Sequence, residues 1–262
     1  TWMHQYINEM KEHEFVLWVI GANAKDKGKF VYELPKNVVE VHEVFLDDAL
    51  RLKDSGKMLH AFTEEETNSL KELMLCRRPN WEILFRLYHD QKLNPMSFLR
   101  SEEFLNILTE CCIKDYPYTP FADAFHTMRS MLLPVLYLMG SEVPKADVYH
   151  AICTGYGGLL ACLGGHVYKK KVLLTEHGIY TREREEEIIR AKWVQPAFKK
   201  QWISFFYMLS DIIYTRAFLV SALFTNAMHA QIQMGCDKEK CRVVENGINY
   251  ERLSPIPLKE ED

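Results

Sequence analysis

The chain has 262 residues, with 32 basic and 36 acidic side chains, a net charge of −4 and 48% hydrophobic residues. This is a globular composition, long enough to bury a sizeable core, and it lacks the basic surplus that usually accompanies nucleic-acid binding. No run approaches the roughly 18 apolar residues of a membrane-spanning helix, no secretory pattern opens the chain, and 7 cysteines without a Cys-x-x-Cys pair suit reduced thiols, so a cytoplasmic location is expected.

Residues 1–11 place Trp2, Tyr6, Ile7 and Met10 at helical spacing, with Thr1 as a candidate cap. Residues 14–21 form a continuous apolar run, the signature of a strand in a covered parallel sheet. Residues 23–28 read as a turn, 30–34 as a further strand, and 38–45 as a strand with alternating valines. From 47 to 140 the periodicity is helical, at 47–60, 64–76, 80–92, 101–114 and 121–139. Thr63 opens a capping box, and Asn94-Pro95 and Thr119-Pro120 act as breakers.

After Pro144 strands and helices alternate: strand 148–152, helix 157–168, strand 172–176, helical region 183–215, strand 218–224, helix 226–234 and strand 242–245. The predicted fold class is therefore α/β, a Rossmann-like parallel sheet with a large all-helical insertion. The domain organisation expected is a Rossmann-like unit from 1–46 and 141–250, a helical insertion at 47–140, and a linker at 251–262. Cys236 and Cys241 flank a charged turn closely enough to pair, although the rest of the chain shows no disulfide framework.

The chemistry concentrates between Asp147 and Arg184. Thr154-Gly155-Tyr156-Gly157-Gly158 joins a strand to a helix. Such a turn can present free N–H groups to a phosphate or carboxylate, and equally it can serve only to pack strand and helix closely. As a dinucleotide fingerprint it is incomplete, because Leu160 stands where the third small residue belongs, although Glu176 ends the next strand where a ribose-binding acid would. Glu176 and His177 fall at the carboxyl end of their strand, the edge where parallel sheets bind ligands. Arg182 and Arg184 oppose the dipole preference at a helix start, so an anionic ligand is one reason for keeping them; a solvated charged face is the other. Asp211 and His229 have no partner that sequence can assign and are read as structural.

The stretches His150-Ala-Ile-Cys-Thr-Gly-Tyr-Gly-Gly, Leu173-Leu-Thr-Glu-His-Gly-Ile-Tyr-Thr-Arg-Glu-Arg and Val243-Val-Glu-Asn-Gly-Ile-Asn resemble the PelF-type glycosyltransferases. These are bacterial enzymes of Pel exopolysaccharide synthesis in the family 4 retaining class. The resemblance implies the N-terminal, acceptor-side half of a GT-B fold that uses no metal and no cofactor beyond a nucleotide-sugar co-substrate, UDP-glucose or a related UDP-sugar. By position, His177 matches the histidine that such enzymes place beside the transferred sugar. His150, Thr154 and Gly155 match the neighbouring cleft wall, and Asn246 the hinge toward a donor domain, with Glu245 where relatives commonly carry proline. The partners implied are the UDP-sugar, a glycan acceptor and a membrane-bound polysaccharide-export complex. A first strand before Thr1 and a donor-binding domain after Asp262 are also implied, so the 262 residues alone are expected to be inactive. Two other readings stay open on sequence: a non-catalytic module that binds a protein through 47–140, and a nucleotide-dependent oxidoreductase.

Overall fold

The computed structural model describes residues 2–53, 60–247, 250 and 254. Helix α1 (Trp2–Glu9) leads into strand β1 (Phe15–Gly21), which pairs in parallel with β2 (Val38–Phe45). The turn between α1 and β1 is held by Asn37, whose Nδ2 donates to the carbonyls of Ile7, Met10 and His13 at 2.9, 3.2 and 3.2 Å. Thr1, the candidate cap, lies outside the described residues. All seven residues of β1 are only half-buried, with Trp18 and Ile20 packed against the main core.

The predicted strand at 30–34 does not form. The segment is irregular and exposed, Val31 at 90%, because its apolar residues have no sheet edge or core to cover them. The predicted helix at 47–60 is likewise corrected to a short 3-10 helix, Leu46–Arg51, and 54–59 fall outside the described residues.

Helices α2 (Glu64–Met74), α3 (Trp81–Phe85), α4 (Pro95–Leu99), α5 (Glu102–Asp115) and α6 (Phe121–Met139) follow. A wide turn at Arg86–Asp90 continues α3, and α4 is a short helix that the pattern did not reveal. Thr63 accepts from the Glu66 N–H and the Glu66 carboxylate accepts from the Thr63 N–H, which is the expected capping box. Buried residues of these helices, among them Leu84, Phe85, Leu132 and Leu136, form one continuous core with those of the second sheet and its helices.

That second sheet contains β3 (Val148–Ala151), β4 (Lys171–Glu176), β5 (Leu219–Ala222) and β6 (Cys241–Val243), all parallel and in sequential order. Its crossovers are α7 (Gly155–Tyr168), α8 (Tyr180–Arg190) with α9 (Lys199–Arg216), and α10 (Thr225–Gln233). The single predicted helical region at 183–215 is two helices, broken by an extended Ala191 and a 3-10 turn at Pro196–Phe198. Parallel strands linked by helices and joined to a helical segment make this a Rossmann-like α/β fold with helical insertions. Among the described residues no helix is long and apolar enough to cross a membrane.

Candidate functional site

The carboxyl ends of β3, β4 and β5 bring most of the singled-out residues together. Side chains alternate across a strand, so His150, Thr175 and Ser221 share one face while Glu176 points to the other. On the first face, His150 Nε2 lies 2.8 Å from Thr175 Oγ1, which lies 2.7 Å from Ser221 Oγ. The Tyr6 ring of α1 stands edge-on to His150 at 5.7 Å. Burial lowers the His150 pKa and favours a neutral imidazole. His150 is thus bound into a polar chain crossing three strands beneath a helix.

On the opposite face Glu176 is only 2% exposed. Its Oε2 accepts from Tyr214 of α9 at 2.7 Å and Gln231 of α10 at 3.0 Å. Desolvation raises the carboxyl pKa, against the lowering effect of hydrogen bonds from Tyr214 and Gln231 and of the Tyr180 backbone N–H. Oε1 of Glu176, toward which the Tyr180 N–H points without meeting hydrogen-bond geometry, and Oε1 of Gln231 are both buried without a close partner. Glu176 therefore ties the end of β4 to two helices through Oε2. A ribose-binding role for it does not fit this geometry.

The glycine turn is similarly committed to packing. Gly155 sits at φ +67°, and a Cβ there would come within 2.6 Å of the Tyr180 ring. A Cβ on Gly158 would come within 2.9 Å of Ile213 of α9. Thr154 precedes α7 with a fully buried side chain that caps nothing. Its Oγ1 lies 2.8 Å from Ser210 Oγ, itself 2.8 Å from Thr181 Oγ1. This hydroxyl chain locks the starts of α7 and α8 onto α9.

His177 differs from these residues. It follows β4 directly, is half-buried, and its Nε2 is buried without a hydrogen-bond partner. The Trp2 ring lies 4.5 Å from the imidazole, tilted by 57°, and stacks in turn on Tyr6 at 4.9 Å. Desolvation lowers the His177 pKa, so the neutral form is favoured. A buried imidazole nitrogen with nothing bonded to it costs about 1–3 kcal/mol.

Just past His177, an open groove of about 720 Å³ runs along α8, bordered by Ile179 and Trp193 and by charges of both signs, Arg182, Arg184 and Arg190 with Glu183, Glu186 and Glu187. Arg182 is exposed there. Arg184 pairs with Glu187 and lies over the Tyr180 ring at 5.4 Å, while its Nε is buried without a partner. Asn246 is exposed just beyond the carboxyl end of β6, and most of the expected linker 251–262 lies outside the described residues. Cys236 and Cys241 are free thiols with sulfurs 3.5 Å apart. Asp211, read as structural, lies 3.3 Å from Arg78. Among the described residues no three His, Cys, Asp or Glu side chains are placed to hold a metal.

Sequence reasoning missed Trp2, Thr175, Ser210, Tyr214, Ser221 and Gln231. Thr175 and Ser221 carried a usable signal, each being a lone hydroxyl near the end of an apolar strand. Tyr214 and Gln231 lie on helices remote in sequence, and only the fold brings them to Glu176.

A family model described as a domain of unknown function, DUF3492, matches residues 1–239. The chain belongs to the DUF3492 family. This domain is one found in glycosyltransferase-like proteins. Searches of curated proteins and of solved structures returned no match to this DUF3492 chain.

Proposed function

We propose that this DUF3492 chain is the acceptor-side, N-terminal domain of a retaining, PelF-like glycosyltransferase that moves a sugar from UDP-glucose, or a close UDP-sugar, to a growing exopolysaccharide. The observation that carries the reading is His177: a neutral imidazole at the carboxyl end of β4 whose Nε2 is buried and unbonded. The parallel α/β fold and the family's occurrence in glycosyltransferase-like proteins support it. In this role the imidazole accepts a hydrogen bond from a hydroxyl of the transferred sugar and orients it, and Trp2 borders that position. In this reading Arg182 is the arginine of the α8 groove that contacts anionic substrate, because Arg184 is paired with Glu187 and the groove's glutamates offset its other cations. The diphosphate leaving group is stabilised by a separate donor-binding domain, so the 262 residues alone turn over poorly. The reading places the protein in the cytoplasm, beside a membrane-bound polysaccharide-export complex.

A second reading draws on the exposed Ile113, Tyr118 and Phe121 at the junction of α5 and α6, where a protein partner would bind a non-catalytic module. Calorimetric titration of UDP-glucose, UDP and NAD into the full-length protein and into these 262 residues separates the readings. The transferase predicts that UDP species bind the full-length protein and that NAD binds neither. Absence of any nucleotide binding favours the module, and NAD binding overturns both.

A further inference from the structure

Between Glu187 and Asp211 the chain carries no carboxylate side chain, yet it contains four cations, Arg190, Lys192, Lys199 and Lys200. This stretch ends α8, crosses to α9, and is firmly seated: Val194 and Phe198 are buried at 3% and 1%. From that anchored base Trp193 projects at 66% exposure and Ile189 at 56%. The Trp193 ring is braced only at an edge, by Trp202 at 5.6 Å, which stacks on Phe206 of α9. Lys199 Nζ donates to the Ile189 carbonyl, so cation and apolar residue lie side by side. Arg190 is partly offset by Glu186 at 3.3 Å, whereas Lys192 and Lys200 are exposed and have no ion pair among the described residues.

We propose that this Trp193-centred, lysine-flanked ridge is a docking site for the surface of an anionic lipid bilayer. On the α8 side Trp193 meets glutamates and arginines in equal number, so the cationic excess comes from Lys192, Lys199 and Lys200, and these with the exposed indole select the occupant. An exposed tryptophan with neighbouring lysines suits the headgroup region, where the indole rests at the boundary and lysines meet anionic lipids. Protein interfaces deplete lysine and need about 800 Å² per partner, far more than one tryptophan and one isoleucine supply. Among the described residues no helix is long and apolar enough to cross the membrane. Trp193 also borders the α8 groove that the proposed function assigns to substrate, but vesicle binding is read without any sugar transfer, so the two readings fail separately.

Flotation of the full-length protein with vesicles of phosphatidylcholine, with and without phosphatidylglycerol, tests it. The protein rises with the anionic vesicles only, and high salt releases it. Trp193→Ala and the double variant Lys192→Glu, Lys200→Glu keep the parent melting temperature, as exposed positions should, but lose vesicle binding, by about fivefold for each lysine. Failure to float with anionic vesicles overturns the proposal, as does flotation that both variants retain. Equal retention on an acidic polypeptide such as polyglutamate also overturns it and assigns the ridge to an acidic protein.

Discussion

A single residue type is allowed at the start of α7. Gly155 combines a left-handed φ of +67° with the Tyr180 ring against its α-carbon, so any side chain meets both strain and a clash. Gly155→Ala should lower stability by about 1–3 kcal/mol, read as a shift in the urea midpoint at constant slope. Glu176 makes the opposite kind of prediction, one that depends on pH. Its folded pKa is raised above the ordinary 4.5, chiefly by desolvation, so its favourable contribution is complete below pH 4.5 and is lost as pH rises through the folded value. Glu176→Gln should therefore gain stability relative to the parent as pH increases from 4.5 toward neutrality, and parallel curves for the two proteins would show that the carboxyl is not perturbed. The sequence located Glu176 and His177 at the end of a strand but could not separate their roles, because burial by Tyr214 and Gln231 comes from helices far along the chain.

At the scale of elements, local signals that act within a few residues were legible. The capping box at Thr63 and the apolar periodicity of 121–139 produced α2 and α6 where expected. Thr63→Ala should cost about 1 kcal/mol, measured by thermal or chemical denaturation, since it leaves the Glu66 N–H without its side-chain partner. Signals that need a neighbour failed. Residues 30–34 have strand-like composition but no adjacent strand, and 183–215 has helical periodicity that hides the break at 191–198. A break of that kind is set by tertiary anchoring of Val194 and Phe198, which no window of sequence reports.

For the molecule as a whole, the helical segment and the second sheet are joined by a shared core and by a charged clasp on its surface. Glu82 of α3 receives Arg216 of α9 at 2.6 Å and lies 2.6 Å from His166 of α7. Burial alone pushes the Glu82 carboxyl up, but Arg216 and His166 outweigh it and hold the pKa below its ordinary value. The stabilisation is then present above pH 4.5 and lost as pH falls through the lowered value, the reverse of Glu176. Because Glu82 is half-exposed, Glu82→Gln should cost no more than about 1 kcal/mol near neutrality, with the gap to the parent closing in acid denaturation curves. The proposed chemistry turns on His177 and its unbonded nitrogen. The most direct measurement is sugar transfer from UDP-glucose by the full-length protein and by its His177→Ala variant, alongside the melting temperature of each. The account predicts a loss of turnover of about a hundredfold or more with a melting temperature close to the parent's. Unchanged transfer, or a fall in activity matched by an equal collapse in stability, would contradict it and leave His177 as a structural residue beneath Trp2.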